Sequence, residues 1–432
     1  MAQYQIDCKR YFGNIWRTSI LFHDTVFVAN DSLSKELYQV ERTRKNATSA
    51  CFPPHHKALF GQHSVLVTSG QEHLRLRSLI GPTLVPKQYM SEISSSACEF
   101  IEQCSLKKGY FPLVPELKRF SLRVMLRVLF GNELWIELKS TRQLDALIDD
   151  INTWSLGLLA PPTSFLPWTI AGRAMRARSR IHDKVIDIMS QLRRENSGNS
   201  TSSNRKVSLL ANLMESIVKS EDGSSSCLFN DAIVDNILTL LFAGSDTTSS
   251  VLTSSFFVLA QDKALLKRLQ GSVDDVKVIE AFLTETQRLY PAAPFTMRVV
   301  GAEDGLRLGQ YHIPKSWYIT YALAAILLDD ESIYPNRNKF DMDRWLSSPN
   351  KDDIRGESSN PSLSISPIWS FGAGNRMCPG RFLANAEGVS LLQEVLRKGW
   401  DWSLDPLQNL TYRYNPGFFP VQGLRIQLNH GI

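Results

Sequence analysis

The sequence predicts a mainly α-helical protein with a small β portion, and three observations carry that prediction. Apolar residues recur near a spacing of 3.6 along Gln71 to Ile80, Phe120 to Phe130, Arg173 to Glu195 and Val207 to Lys219. The stretch AIVDNILTLLFAGSDTTSSVLTSSFFVLAQ is apolar nearly all round, which marks a helix running through a protein's centre. Runs rich in β-branched and aromatic residues are short by comparison, the most prominent being Tyr11 to Val28.

The elements follow in chain order. Tyr11 to Val28 is broken at His23-Asp24, which suggests a hairpin, so the chain begins almost directly at its β portion. Helices dominate after Pro53-Pro54. The serine-rich stretches 196–204 and 220–227 read as exposed loops. Asn230 or Asp231 can cap the long central helix, which continues to about Gln261. Another helix, 276–290, stops at Pro291. Short strands fit Arg298–Val300, Leu306–Leu308, Trp317–Thr320 and the C-terminus. Residues 346–367 read as a surface meander, and a final helix follows Pro379. With no repeat and no linker, a single domain over 1–432 is expected.

Composition narrows the function. Of 432 residues, 43% are hydrophobic and 21% charged, an ordinary globular balance that excludes disorder, collagen-like repeats and small disulfide scaffolds. Lys plus Arg is 48 against 43 for Asp plus Glu, and the net +5 is too small to argue for nucleic acid. The cluster Arg173, Arg176, Arg178 and Arg180 reads as a solvated helix face. Six cysteines lie scattered without a CxxC pair, which suits reduced thiols. No segment reaches the ~20 apolar residues of a membrane span. The N-terminal MAQYQIDCKRYF lacks a signal h-region and a transmembrane anchor. As written the chain reads as soluble and cytosolic; a native anchor since lost would place it on the endoplasmic-reticulum membrane.

The most informative segment is Phe371-Gly372-Ala373-Gly374-Asn375-Arg376-Met377-Cys378-Pro379-Gly380. Its glycines permit tight turns in which backbone N–H groups converge on a sulfur atom. A helix N-terminus beside the cysteine favours the thiolate, and Arg376 adds a fork suited to carboxylates. A dinucleotide loop fails for want of a third glycine at the required spacing. A buried small hydrophobe or a redox-active thiol remains open for Cys378 on these residues alone.

The run FGAGNRMCPG resembles the haem-thiolate signature of the cytochrome P-450 superfamily, F-x-x-G-x-R-x-C-x-G, at Phe371, Gly374, Arg376, Cys378 and Gly380. Other motifs similar to that family's follow its order along the chain. His73 and Arg77 fit H/W-x-x-x-R, Ala243 to Thr248 fits A/G-G-x-D/E-T, and Glu285 and Arg288 fit E-x-x-R, with Arg344 in the stretch FDMDRW. Each has a plainer alternative: a core histidine at His73, hydroxyls bonding back to i−4 carbonyls around Thr247, a common i,i+3 ion pair at Glu285.

The resemblance implies a cytochrome P-450 fold with haem between the long central helix and the cysteine loop. It implies haem b ligated by Cys378 as the metal ligand, with Phe371 beside it. His73, Arg77, Arg298 and Arg376 would face the propionates, and Gly244 would leave a groove for dioxygen. Asp246 and Thr247 would be the catalytic proton relay, while Glu285, Arg288 and Arg344 would hold the thiolate loop. A thiolate pushes electron density into haem iron and favours O–O cleavage. The implied activity is a monooxygenase inserting one atom of O2 into an apolar small molecule: a terpenoid, a sterol, or another lipid-like or secondary metabolite. Electrons from NAD(P)H would arrive through a separate partner, an NADPH-cytochrome reductase or a ferredoxin, docking near Arg381, Arg397 and Lys398 on a monomeric enzyme. The substrate pocket would draw on 52–69, 151–172, 239–247 and 292–297, with Phe418 and Phe419. A haem-thiolate isomerase or dehydratase acting on hydroperoxides, which commonly alters the acid–threonine pair, and a non-catalytic haem sensor are the alternatives.

Overall fold

The computed structural model describes residues 2–20, 22–44, 46–51, 54–131, 143–157, 166–197, 208–218, 226–293, 296–331, 333–346, 369–372, 374–415 and 417–429. The chain divides into two compact units: Met1–Cys51, Ile101–Val114 and Ser250–Ile432 form one, and Phe52–Phe100 with Pro115–Ser249 form the other.

The first unit holds the strands: β1 (Ile15–Ile20), β2 (His23–Val28), β3 (Thr48–Ala50), β4 (Phe111–Pro112), β5 (Thr296–Val300), β6 (Leu306–Leu308), β7 (Tyr311–Ile313), β8 (Tyr318–Tyr321), β9 (Asp401–Leu404), β10 (Tyr412–Asn415), β11 (Gly417–Pro420) and β12 (Arg425–Asn429). The largest sheet runs β1-β2-β8-β5-β3, with β2 and β8 parallel and its other neighbours antiparallel. Thr25 to Val28 of β2 are buried in its middle, where both faces are covered. The β1–β2 turn falls at Phe22 rather than at His23-Asp24. Ile20 pairs with His23, and Phe22 takes the left-handed φ of 68° that the turn needs.

Ala2–Phe12 is a helix, where the sequence suggested an almost immediate β portion. Its reason is tertiary. Gln5 is fully buried and accepts from the Ala324 N–H at 3.1 Å, and Lys9 pairs with Asp330 at 3.5 Å. Short helices owe most of their stability to such packing, which local pattern does not reveal.

The E-x-x-R motif lies on the helix Val276–Leu289, capped by Asp275 at one end and by Tyr290 before Pro291 at the other. Both motif residues are fully buried. Arg288 grips Glu285 through Nε at 2.9 Å and Nη2 at 2.8 Å, and donates onward to the Leu327 carbonyl at 3.0 Å. The Asp341 N–H (3.0 Å), Arg344 Nε (3.2 Å) and Trp345 Nε1 (2.9 Å) complete the acceptor sites of Glu285. Ser370, in the turn that opens the cysteine loop, donates to the Gln287 carbonyl of the same helix at 3.4 Å.

The second unit is helical. Pro54–Phe60, Gly70–Ile80, Gln143–Gly157, Ile170–Ser197 and Leu209–Val218 accompany the greater part of the central helix, Ser226–Gln261. That helix begins earlier than an Asn230 or Asp231 cap allows, because neither Pro nor Gly stands between 226 and 231 to stop it. Asp235, Asn236 and Thr239 on its first turns hold the 61–65 segment. His63 N–H donates to Asp235 at 3.1 Å, Val65 N–H to Asn236 at 2.8 Å, and the Ser64 and Thr239 hydroxyls meet at 2.6 Å. Trp154 Nε1 and Arg178 Nε both donate to the Leu59 carbonyl at 3.0 Å. The arginine cluster is therefore only partly a solvated face: Arg173 and Arg176 are exposed, but Arg178 pairs with buried Asp235 at 2.6 Å and Arg180 with Asp150 at 2.5 Å. Of the expected loops 196–204 and 220–227, the parts 198–204 and 220–225 lie outside the described residues, as does the meander from 347, but Asn196-Ser197 end the helix Ile170–Ser197 and Ser226-Cys227 open the central helix. Among the described residues, no helix is long and apolar enough to cross a membrane.

Removing one partner from a buried ion pair leaves an uncompensated charge and costs about 3–5 kcal/mol. Glu285→Gln, which strands Arg288, is expected to lower stability by that amount in urea titration, while Arg397→Gln at an exposed pair leaves it nearly unchanged.

Candidate active site

In the first unit the cysteine loop is two tight turns. Trp369–Phe371 and Gly374–Arg376 are single 3₁₀ turns, with Gly372 at φ 71° and Gly374 at φ 73°. The Cys378 N–H donates to the Phe371 carbonyl at 2.9 Å and the Met377 N–H to the Gly374 carbonyl at 3.0 Å. These bonds bring Phe371, Arg376 and Cys378 onto one loop, all half-buried, immediately ahead of the helix Arg381–Arg397. Arg381 stacks on Phe382 at 4.1 Å and donates to the Met377 sulfur at 3.7 Å. Burial lowers the pKa of its guanidinium, and its interaction with Cys378 works against that. Arg381 is thus a half-buried neighbour of the Cys378 side chain. Arg397, in contrast, is exposed and paired with Asp274 at 2.9 Å.

Arg298 sits on β5, nearly buried, with its Nε 3.4 Å from a Glu41 oxygen and its Nη1 donating to its own Met297 carbonyl at 3.1 Å. The Nε has no hydrogen-bond partner.

In the second unit, Gly244, Asp246 and Thr247 lie mid-way along the central helix. Ala243, Gly244 and Thr247 are half-buried on one face, whereas Ser245, Asp246 and Thr248 to Ser250 are buried. Thr247 donates to the Ala243 carbonyl at 2.6 Å, the i−4 bond that was the plainer reading of this hydroxyl. At Gly244, a Cβ would stand 2.5 Å from Met125 Sδ, so what this face of the glycine shows is close helix packing. Asp246 is 4% exposed, and its Oδ1 pairs with Lys118 Nζ at 2.6 Å. Its Oδ2 is buried without a hydrogen-bond partner. Burial raises the carboxyl above its ordinary range, and Lys118 partly offsets that.

His73 and Arg77 share the helix Gly70–Ile80. His73 is buried, with Nδ1 2.9 Å from the Val65 carbonyl, which makes that nitrogen the donor and leaves Nε2 as the other functional atom. Arg77 is half-buried one turn later.

Residues 1–427 match the family description "Cytochrome P450". The chain belongs to the cytochrome P450 family. It is 24% identical over 427 residues to cytochrome P450 724B1 of Oryza sativa subsp. japonica, covering 92% of this chain and 80% of that one. It is 23% identical over 446 residues to abscisic acid 8'-hydroxylase 1 of Arabidopsis thaliana, covering 98% and 85%. A solved structure described as retinoic acid bound cyanobacterial CYP120A1 superposes with a TM-score of 0.78 at 22% identity, over 98% of this chain and 93% of that one. The enzyme class is accordingly that of a cytochrome P450 monooxygenase, with haem as its cofactor.

The residues present fit haem. Cys378 offers a sulfur on a loop held by backbone bonds, and Arg298 keeps a buried donor without a hydrogen-bond acceptor, a chemistry suited to a propionate. Of the pocket segments, 158–165 and 294–295 lie outside the described residues; Leu240 is buried, Phe242 packs edge-on to Phe60 and Trp154, and Leu156 is 55% exposed, turned to solvent rather than to a lining. Sequence reasoning missed Lys118. Its signal was its spacing from Met125 on the helix Leu113–Phe130: seven residues, two turns, on the side that meets the central helix.

The two glycines differ in what they tolerate. At Gly374 a Cβ meets left-handed backbone and the Tyr38 ring at 2.7 Å, so Gly374→Ala is expected to cost at least the ~1–3 kcal/mol of a strained residue. At Gly244 only the flexible Met125 thioether must swing, and the ~0.5–1 kcal/mol gained by replacing a mid-helix glycine offsets much of that. Thermal unfolding of both variants should therefore show a large drop for Gly374→Ala and a small change for Gly244→Ala.

Proposed function

We propose that this P450 hydroxylates an apolar, isoprenoid-type small molecule, with electrons delivered from NAD(P)H by a separate reductase or ferredoxin. The observation that carries the oxygen-activating reading is Asp246: a buried acid paired through one oxygen with a lysine and left with the other oxygen unpartnered. A haem-binding sensor has no use for such an acid, and burying it without work costs stability. The substrate class rests on the relative named as an abscisic acid hydroxylase and on the neighbouring structure that holds retinoic acid. The aromatic cluster Phe60–Trp154–Phe242 suits a ligand of that kind.

Haem bound through a cysteine thiolate supplies reductive activation of dioxygen. This chain's residues do the rest. Cys378 would hold the haem iron through its sulfur, on a loop fixed by the Phe371 carbonyl and the glycine turns. By the family's motif pattern His73, Arg77, Arg298 and Arg376 would face the propionates. Lys118, 27% exposed, holds Asp246 through Oδ1, and Asp246 with Thr247 would form the proton relay. Arg381 holds positive charge beside the sulfur, half-buried against the Phe382 ring.

The carbon monoxide difference spectrum of the reduced protein tests the ligand. A strongly red-shifted Soret band is expected, and its persistence in Cys378→Ala would remove Cys378 as the axial residue. A second expectation concerns pH. Lys118 lowers the Asp246 pKa, so Lys118→Met lets burial raise it further, and Asp246 ionises only at higher pH. The acidic limb of the kcat profile should move to higher pH in that variant; an unmoved limb takes Asp246 out of the relay.

A further inference from the structure

Glu41 stands in the last turn of the helix Asp31–Thr43, with its side chain 6% exposed. Three groups face its carboxylate. The Thr48 hydroxyl donates to Oε1 at 2.7 Å, the Tyr321 hydroxyl donates to Oε2 at 3.2 Å, and Arg298 Nε lies 3.4 Å from Oε1. Burial pushes the Tyr321 phenol well above its ordinary range, so this hydroxyl stays a donor. Glu41 is therefore satisfied by neutral hydroxyls, while its contact with Arg298 is ionic and not a hydrogen bond, since Nε has no hydrogen-bond partner. The same helix reaches the cysteine loop: Glu41 Oε2 is 3.7 Å and the Tyr38 ring 2.7 Å from the place a Cβ on Gly374 would take.

We propose that Glu41 is a positioning residue that sets, through Arg298, how much positive charge this P450 presents to a haem propionate, and thereby sets the reduction potential. The proposal rests on the haem-thiolate reading above. Two anions, Glu41 and the propionate, share one nearly buried guanidinium. Glu41 holds it from the protein side without taking its hydrogen bonds, so the donors stay available to the other carboxylate. Reduction adds an electron to the haem, and an unneutralised carboxylate nearby opposes that step. Removing the Glu41 charge leaves Arg298 wholly to the propionate and favours the ferrous state.

The experiment is a spectroelectrochemical titration of the holoenzyme and of Glu41→Gln, Arg298→Gln and the double variant. Glu41→Gln should increase the equilibrium constant for one-electron reduction about three- to tenfold, the scale on which a buried unit charge acts at an effective dielectric near ~20; tenfold is ~59 mV. In the Arg298→Gln background the same substitution should do little. An unchanged potential in Glu41→Gln with the thiolate haem spectrum intact overturns the proposal, and so does an equal shift in both backgrounds. Should Glu41→Gln fail to retain haem, Glu41→Asp, which keeps the charge but draws it away from Arg298, is expected to shift in the same direction by less, and no shift there overturns it too. A parent protein without the red-shifted carbon monoxide band would instead sink the haem-thiolate reading itself.

Discussion

Glu285 is a carboxylate with no exposure to solvent, and five donors from two separate stretches of chain end on its two oxygens. An ion taken wholly out of water is tolerated only when its lone pairs are met, because desolvation otherwise outweighs the pairing energy. Satisfying Glu285 therefore fixes the relative places of the helix Val276–Leu289, the 335–345 segment and, through Gln287 and Ser370, the turn ahead of Cys378. Arg288 is held with equal economy, between Glu285, the Leu327 carbonyl and the face of Tyr334 at 5.3 Å. A thiolate loop of two single turns and two left-handed glycines has little regular structure of its own. Its geometry depends on this buried anchor.

The buried acids of the chain can be sorted by how completely they are satisfied. Glu285 is saturated and serves structure. Glu41 is met by two hydroxyls and left in loose ionic contact with Arg298. Asp246 has one oxygen paired and one with no partner. Glu387, on the helix that follows the cysteine, is fully buried with Oε2 unpartnered, and burial pushes its carboxyl well above the ordinary range. Incomplete satisfaction costs stability, and such costs are retained where charge must move or be shared.

Much of this was legible in the sequence because it was written in local spacing. The helices at 70–80, 170–197 and 381–397, the E-x-x-R pair and the cysteine loop depend on i,i+3 and i,i+4 relations or on a short glycine-rich run, whereas Arg344, 59 residues from Glu285, was assigned by resemblance alone. The helix Ala2–Phe12 was not legible, since its buried Gln5 answers to an N–H over 300 residues away. The hairpin turn was misplaced because the burial of Thr25 to Val28, which sets the register, is a property of the neighbouring strand β8. Lys118 and Glu41 escaped for the same reason: a lone charged residue on an amphipathic helix looks solvated until the partner across the contact is known. Arg178 shows the converse, a member of an apparently solvated cluster that closes on buried Asp235.

The i−4 bond of Thr247 and a proton relay through Thr247 exclude one another less than they first suggest. By donating to the Ala243 carbonyl at 2.6 Å, the hydroxyl commits its hydrogen and keeps both lone pairs for acceptance. In this state Thr247 is an acceptor only, so a proton reaching it has to come from a donor. Burial raises the Asp246 carboxyl above its ordinary range, and Lys118 partly offsets that. Passing a proton onward then requires the 2.6 Å bond to yield, and mid-helix that is inexpensive, because a back-bonded hydroxyl competes with the backbone N–H for the same carbonyl. Asp246 Oδ2 also stands without a hydrogen-bond partner, so the acid and the hydroxyl each keep an acceptor for the proton relay proposed above.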